Sequence, residues 1–141
     1  MTQHQELFHQ LFQTSRQLSK NLNEHLSELG IYSSQWTIIY YLHQYGSATQ
    51  AEICQYLNVE APTMTRTITR LVTAGWVYKK DGKNNREKLI ELTESAYTAY
   101  PLWENAVSQF EKTAMKGFTQ TEQNALKVCF QQMLNNVNIQ E

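Results

Sequence analysis

TQAEICQYLNVEAPTMTRTITRLVTAGW, residues 49–76, holds two short helices joined by a tight turn. Thr49 with Glu52 three residues later is a capping box, in which hydroxyl and carboxylate each satisfy a backbone donor left open at a helix start. Ile53, Cys54 and Leu57 then face one side, and Asn58-Val59-Glu60 forms the turn. A second helix begins near Ala61. It tolerates Pro62 in its first turn, where no N–H is needed, and runs through Met64, Ile68, Leu71 and Val72 to Gly75.

Working outward, WVYKK and KLIELT are two β-favouring runs separated by DGKNNRE, whose Asp-Gly marks an antiparallel hairpin with a polar, basic tip. Upstream, QWTIIYYLHQY brings Trp36, Ile39, Tyr40 and His43 within helical reach of one another, and Gly46 ends that helix. Helix, helix, turn, helix and hairpin is the order of a winged helix-turn-helix, which lays one helix in the DNA major groove. Phasing at 100° per residue supports it. With Met64, Ile68 and Leu71 turned inward, Pro62, Arg66, Thr69 and Thr73 fall on the opposite side, flanked by Thr63, Thr65 and Arg70. Threonine can reach a phosphate or touch a thymine methyl, and an arginine fork matches both acceptors of guanine. No acidic residue occurs between Glu60 and Asp81, so this face lacks the mixed charges of an ordinary solvated helix.

Composition sets the frame around that unit. The chain has 141 residues, 12 Lys plus Arg against 13 Asp plus Glu, and 41% hydrophobic residues. The charge is uneven: residues 33–92 carry seven basic and five acidic side chains, the flanks five and eight. The middle is the basic part. No stretch approaches the roughly 20 apolar residues of a membrane span, and the N-terminus lacks a signal core, so no membrane partner and a cytoplasmic location are expected. The first flank places Leu7, Phe8, Leu11, Phe12, Leu18, Leu22, Leu26 and Leu29 on one stripe of a helix of about seven turns that stops at Gly30. The last flank begins a helix at Thr93 with a stripe of Tyr97, Tyr100, Val107, Phe110 and Ala114, bent at Pro101 and ended by Lys116-Gly117. Thr119 with Glu122 then caps a final helix bearing Ala125, Leu126, Cys129, Phe130, Met133 and Val137.

The sequence resembles the MarR family of bacterial transcription regulators over essentially its whole length. Thr49-Gln50-Ala51-Glu52-Ile53-Cys54 is similar to the family's start of the first motif helix. Pro62-Thr63-Met64-Thr65-Arg66-Thr67-Ile68-Thr69-Arg70-Leu71 is similar to its recognition helix, continued by Gly75-Trp76-Val77. Asn84-Asn85-Arg86 followed by Leu92-Thr93 is similar to its wing, with Asn84 and Asn85 in place of Asp and a basic residue, and Glu60 in place of a Ser or Asp cap. The resemblance implies a homodimer in which the outer helices interleave across a two-fold axis, with double-stranded DNA as partner. Pro62, Thr63, Thr65, Arg66, Thr69, Arg70, Lys83 and Arg86 are the expected DNA contacts, Arg86 in the minor groove. It further implies a small aromatic or lipophilic effector, for which Phe12, Arg16, Trp36, Tyr40 and Tyr97, with Phe8 and Trp103, are the candidate lining.

The expected fold is mainly α with a small β-hairpin wing: a winged helix-turn-helix over 33–93, an N-terminal dimerisation helix over 1–32 and C-terminal dimerisation helices over 94–141. The expected function is a dimeric regulator, a repressor on a near-palindromic operator that the effector releases. The alternative is a winged-helix dimer that serves as a protein-interaction module. Cys54 and Cys129 have no neighbouring cation and read as packing residues, Cys54 in a small buried position. His4, His9, His25 and His43 form no closely spaced pair, so no metal is expected. Without a glycine-rich phosphate loop, nucleophile elbow or paired His motif, neither catalytic residues nor a cofactor are expected.

Overall fold

The computed structural model describes residues 1–83 and 87–138. Its elements run α1 (Gln3–Ser27), α2 (Ser33–Tyr45), β1 (Ser47–Thr49), α3 (Gln50–Leu57), α4 (Ala61–Ala74), β2 (Val77–Asp81), β3 (Lys88–Leu92), α5 (Glu94–Ala114) and α6 (Gln120–Val137). The chain divides into two compact units, Met1–Phe110 and Glu111–Glu141.

In the first unit the expected hairpin is the larger part of a three-stranded antiparallel sheet in the order β1-β3-β2. Val77 opposes Leu92 and Lys79 opposes Ile90, while Ala48 of β1 pairs with Ile90 from the other side. A three-residue strand is too short to show an alternating pattern, which is why β1 is invisible in the sequence. Its effect is to tie the start of α3 to the wing.

The core gathers Leu26, Ile31, Ile38, Ile39, Leu42, Ile53, Met64, Ile68, Leu71 and Ile90 from α1, the segment after it, α2, α3, α4 and β3. Two tryptophans join the ends of this unit. The fully buried Trp103 donates its indole N–H to the Leu29 carbonyl at 2.9 Å, and Trp76 packs edge-on against it with centroids 4.8 Å apart. Trp76 in turn donates to the carbonyl of Gly30, whose φ of +86° turns the chain out of α1. Thr93 links the wing to the next helix: its hydroxyl donates to the Gly75 carbonyl at 2.7 Å and accepts from Ala96 N–H at 3.2 Å as an N-terminal cap.

Several sequence expectations need correction. The buried stripe of α5 is Ala96, Tyr100, Trp103 and Val107, and Tyr97 is 46% exposed. These four residues lie three or four apart and form one continuous face, from which Tyr97 is rotated by about 100°. Pro101 lies inside the continuous helix α5, Glu94–Ala114, as the sequence places it. In α2, Trp36 and Tyr40 lie within reach of one another as expected, 5.9 Å apart, and the buried residues are Gln35, Trp36, Ile38, Ile39 and Leu42. Cys54 is half-buried rather than buried. Helix α1 starts earlier than its leucine stripe suggests, at a capping box between Thr2 and Gln5.

The second unit contains α6, held at its start by the Thr119–Glu122 capping box. Hydrogen bonds from the Thr119 backbone and hydroxyl keep the Glu122 carboxyl below its ordinary pKa. None of the α6 residues is buried, and Leu126, Val128, Phe130, Leu134 and Val137 are exposed.

Candidate nucleic-acid interface

Local chemistry builds the helix pair. Thr49 accepts from Glu52 N–H at 3.2 Å while Glu52 accepts from Thr49 N–H at 3.1 Å, closing the capping box at the start of α3. Asn58 ends α3 with φ 55°, the left-handed conformation that Asn tolerates better than most residues, and Gly75 ends α4 with φ +82°. Glu60 occupies the cap position of α4 but its side chain makes no capping bond. It leaves a carboxylate beside the positive end of the helix dipole.

Met64, Ile68 and Leu71 of α4 are buried, so Pro62, Thr63, Thr65, Arg66, Thr69, Arg70 and Thr73 form an exposed outer face, as the phasing predicts. Arg66 donates to the Thr63 hydroxyl at 3.3 Å. The remaining threonines fold back onto their own helix, Thr65 to Ala61 O at 2.9 Å, Thr67 to Thr63 O at 3.0 Å, Thr69 to Thr65 O at 2.8 Å and Thr73 to Thr69 O at 2.9 Å. One contact ties the two helices across their polar faces. Gln50 of α3 donates through Nε2 to the Thr65 hydroxyl at 2.7 Å. Sequence reading missed Gln50, because a pair fifteen residues apart leaves no periodic trace.

Beside this helix pair stands the wing. Lys79, Lys80, Lys83 and Lys88 are exposed. Glu91 accepts from Lys80 at 2.6 Å and from the Tyr78 hydroxyl, and these two bonds, Lys80 first, hold its carboxyl below the ordinary range. The same bond to Glu91 raises the Lys80 ammonium and the Tyr78 phenol. Lys88 pairs with Asp81 on the neighbouring strand. Between the start of α3 and the wing lies a surface hollow of about 280 Å³, lined by Thr49, Gln50, Ala51, Lys79, Glu87, Lys88 and Ile90. Arg86, with Asn84 and Asn85, lies outside the described residues.

The aromatic residues expected to line an effector site divide into three groups. Trp36 stacks on Tyr100 at 5.4 Å and leans on Tyr40 at 5.9 Å. His43 lies flat on Tyr100 at 3.6 Å and near Tyr97 at 5.8 Å. Tyr100 is thus the hub, which the sequence did not single out for this site. Its hydroxyl is buried, and burial, followed by nearby Glu104 and Tyr40, pushes its pKa up to about 12. Phe12 pairs with Phe8 at 6.1 Å on α1 and is exposed, as is Arg16. Trp103 belongs to the core. Among the described residues, no group of three or more His, Cys, Asp or Glu is placed to hold a metal ion, and no helix is long and apolar enough to cross a membrane.

The family model described as MarR family matches residues 31–88. The chain is 42% identical over 128 residues to the uncharacterized HTH-type transcriptional regulator YwoH of Bacillus subtilis, covering 91% of this chain and 93% of that protein. The chain belongs to the MarR family. Among solved structures, a cysteine-to-serine mutant of MarR from E. coli in complex with operator DNA superposes with a TM-score of 0.85 at 25% identity, over 92% of this chain and 94% of the other. A MarR-family regulator from Listeria monocytogenes in complex with a 26mer DNA gives 0.82 at 26% identity, over 92% and 87%. The fold is that of a MarR-family transcriptional regulator, and these relatives are regulators rather than enzymes.

Proposed function

We propose that this MarR-family chain is a homodimeric, sequence-specific DNA-binding repressor that acts in the cytoplasm and is released from a near-palindromic operator by a small aromatic or lipophilic ligand. The observation that carries the DNA reading is the outer face of α4. It presents Pro62, Thr63, Thr65, Arg66, Thr69 and Arg70 to solvent without an acidic residue, while its inner face is locked into the core. Such a helix enters the major groove with arginine forks and threonines toward base edges and phosphates. Arg66 reads bases with Thr63, Thr65 and Thr69; Arg70 and Lys83 position the protein on phosphates, and Arg86 is assigned to the minor groove by its place in the sequence.

Pairing is supported by exposed apolar residues on the flanking helices, Leu7, Phe8, Phe12 and Leu18 on α1 and Leu126, Phe130 and Leu134 on α6. A single protomer does not bury them, and residues 1–32 and 94–141 are assigned to dimerisation around the 33–93 motif. A two-fold dimer reads two half-sites about 34–36 Å apart. The effector reading rests on the ring cluster around Tyr100, with Trp36, Tyr40, Tyr97, Phe12 and Arg16 as the proposed lining.

Selection from random duplexes at several salt concentrations tests the central reading. The wild type is expected to enrich a palindrome with affinity that falls steeply as salt rises, and Arg66→Ala to relax the selected sequence at a cost of about 1–3 kcal/mol. Absence of enrichment at low salt overturns it. Salt-insensitive capture of a protein partner in its place would establish the interaction-module reading, which the unbonded Glu60 carboxylate at the head of α4 favours.

A further inference from the structure

Thr65, Thr67, Thr69 and Thr73 of α4 have their hydroxyl hydrogens committed to carbonyls of their own helix. Thr65 donates to Ala61 O and Thr69 to Thr65 O, and the Thr65 oxygen also accepts from Gln50 Nε2 at 2.7 Å. A threonine hydroxyl carries one hydrogen, so neither side chain has a donor left for a phosphate or a base. What each still offers is its γ-methyl group. At 100° per residue Thr65, Thr69 and the exposed Val72 lie along one flank of the outer face, and Thr63, Arg66 and Arg70 along the other. The outer face is therefore split into an apolar methyl flank and a guanidinium flank. In the major groove the apolar feature that distinguishes one base from the rest is the C5-methyl group of thymine.

We propose that Thr65 and Thr69 select thymine through its methyl group, and that Gln50 is a positioning residue that holds the Thr65 side chain in the rotamer presenting its methyl. The inference rests on the DNA-binding reading of α4. Gln50 acts from α3, and its bond to Thr65 couples the orientation of the two motif helices to what one residue of α4 displays. The guanidinium flank then faces guanine or phosphate, so each half-site juxtaposes thymine with a position read by Arg66.

The test uses the full-length protein and the palindrome it selects, with thymine replaced by uracil one position at a time. This removes only the methyl group and keeps the base-pairing edge. Wild type is expected to lose about fourfold in affinity at each contacted thymine, the factor for burying one methyl-sized group. Thr65→Ser keeps the hydroxyl and lacks the methyl, and is expected to bind thymine and uracil duplexes equally at its own position. Thr65→Val keeps the methyl and is expected to retain the discrimination. Gln50→Ala is expected to lower the thymine-to-uracil ratio at the Thr65 position and leave the Thr69 position unchanged, whereas general structural damage moves both. Equal binding of thymine and uracil duplexes by wild type, with the palindrome still selected, overturns this inference and leaves the DNA reading intact. Discrimination lost in Thr65→Val but kept in Thr65→Ser overturns it in favour of the hydroxyl. Failure to select any palindrome removes the DNA reading and this inference together.

Discussion

Helices α4 and α1 are both amphipathic, yet the structure treats their apolar faces in opposite ways. In α4 the apolar residues Met64, Ile68 and Leu71 are fully enclosed by α2, α3 and the sheet, and the polar face is what remains outside. In α1 only Leu26 is buried, and Phe12, at 54% exposure, typifies the stripe that the first unit leaves open. An apolar stripe states that a helix needs a partner; it does not state where the partner comes from. For α4 the partner lies in the same chain, so the polar side is left displayed. For α1 the apolar side of the first turns stays exposed, and in the proposed dimer it is the surface that meets a second protomer.

The largest effect should come from the inner face of α4. Ile68→Ala is expected to lower the free energy of unfolding by about 2–5 kcal/mol, measured by urea denaturation, because the cavity sits at a fully buried position. Arg66→Ala on the outer face should stay within about 0.5 kcal/mol in the same experiment. Equal losses at both positions would break the division of α4 into a structural and a displayed face.

The next effect sharpens the reading of α1. Leu18→Glu places a charge within the open stripe and is expected to raise the monomer–dimer dissociation constant at least about tenfold, followed by sedimentation equilibrium. The same substitution should leave the helix content of each protomer unchanged. A dimer of unaltered strength would move the contact surface away from α1.

The smallest effect concerns the wing beside α4. The Glu91 carboxyl is held below its ordinary value of 4.5 by Lys80 and Tyr78, so its contribution to stability is present above that value and is lost as pH falls through the lowered pKa. Protection against amide exchange in β2 and β3, taken relative to the intrinsic rate at each pH, is therefore expected to fall in that acidic window, with the protection of α1 unaffected. Glu91→Gln should flatten the response; an unchanged pH profile would show that the carboxylate does not brace the strands.

Much of this was legible in residue order. Thr49 with Glu52, Pro62 in the first turn and Gly75 at the end delimit α3 and α4, because capping is decided by backbone groups within one turn and needs no distant partner. The phase of Met64, Ile68 and Leu71 likewise separates the inner from the outer face of α4. What stayed hidden depended on distant segments. Strand β1 exists because β3 offers it a ladder of backbone groups, and the Gln50–Thr65 bond forms only after α3 and α4 have packed.

The sequence by itself determined where helices begin and end and which residues of α4 face outward, since both follow from local hydrogen bonding and a 3.6-residue period. Tertiary structure alone decided that Trp103 and Tyr100 are enclosed while Tyr97 is not, and that Gln50 of α3 bonds to Thr65 of α4. Those outcomes depend on which surfaces meet, and a periodic stripe carries no record of its partner.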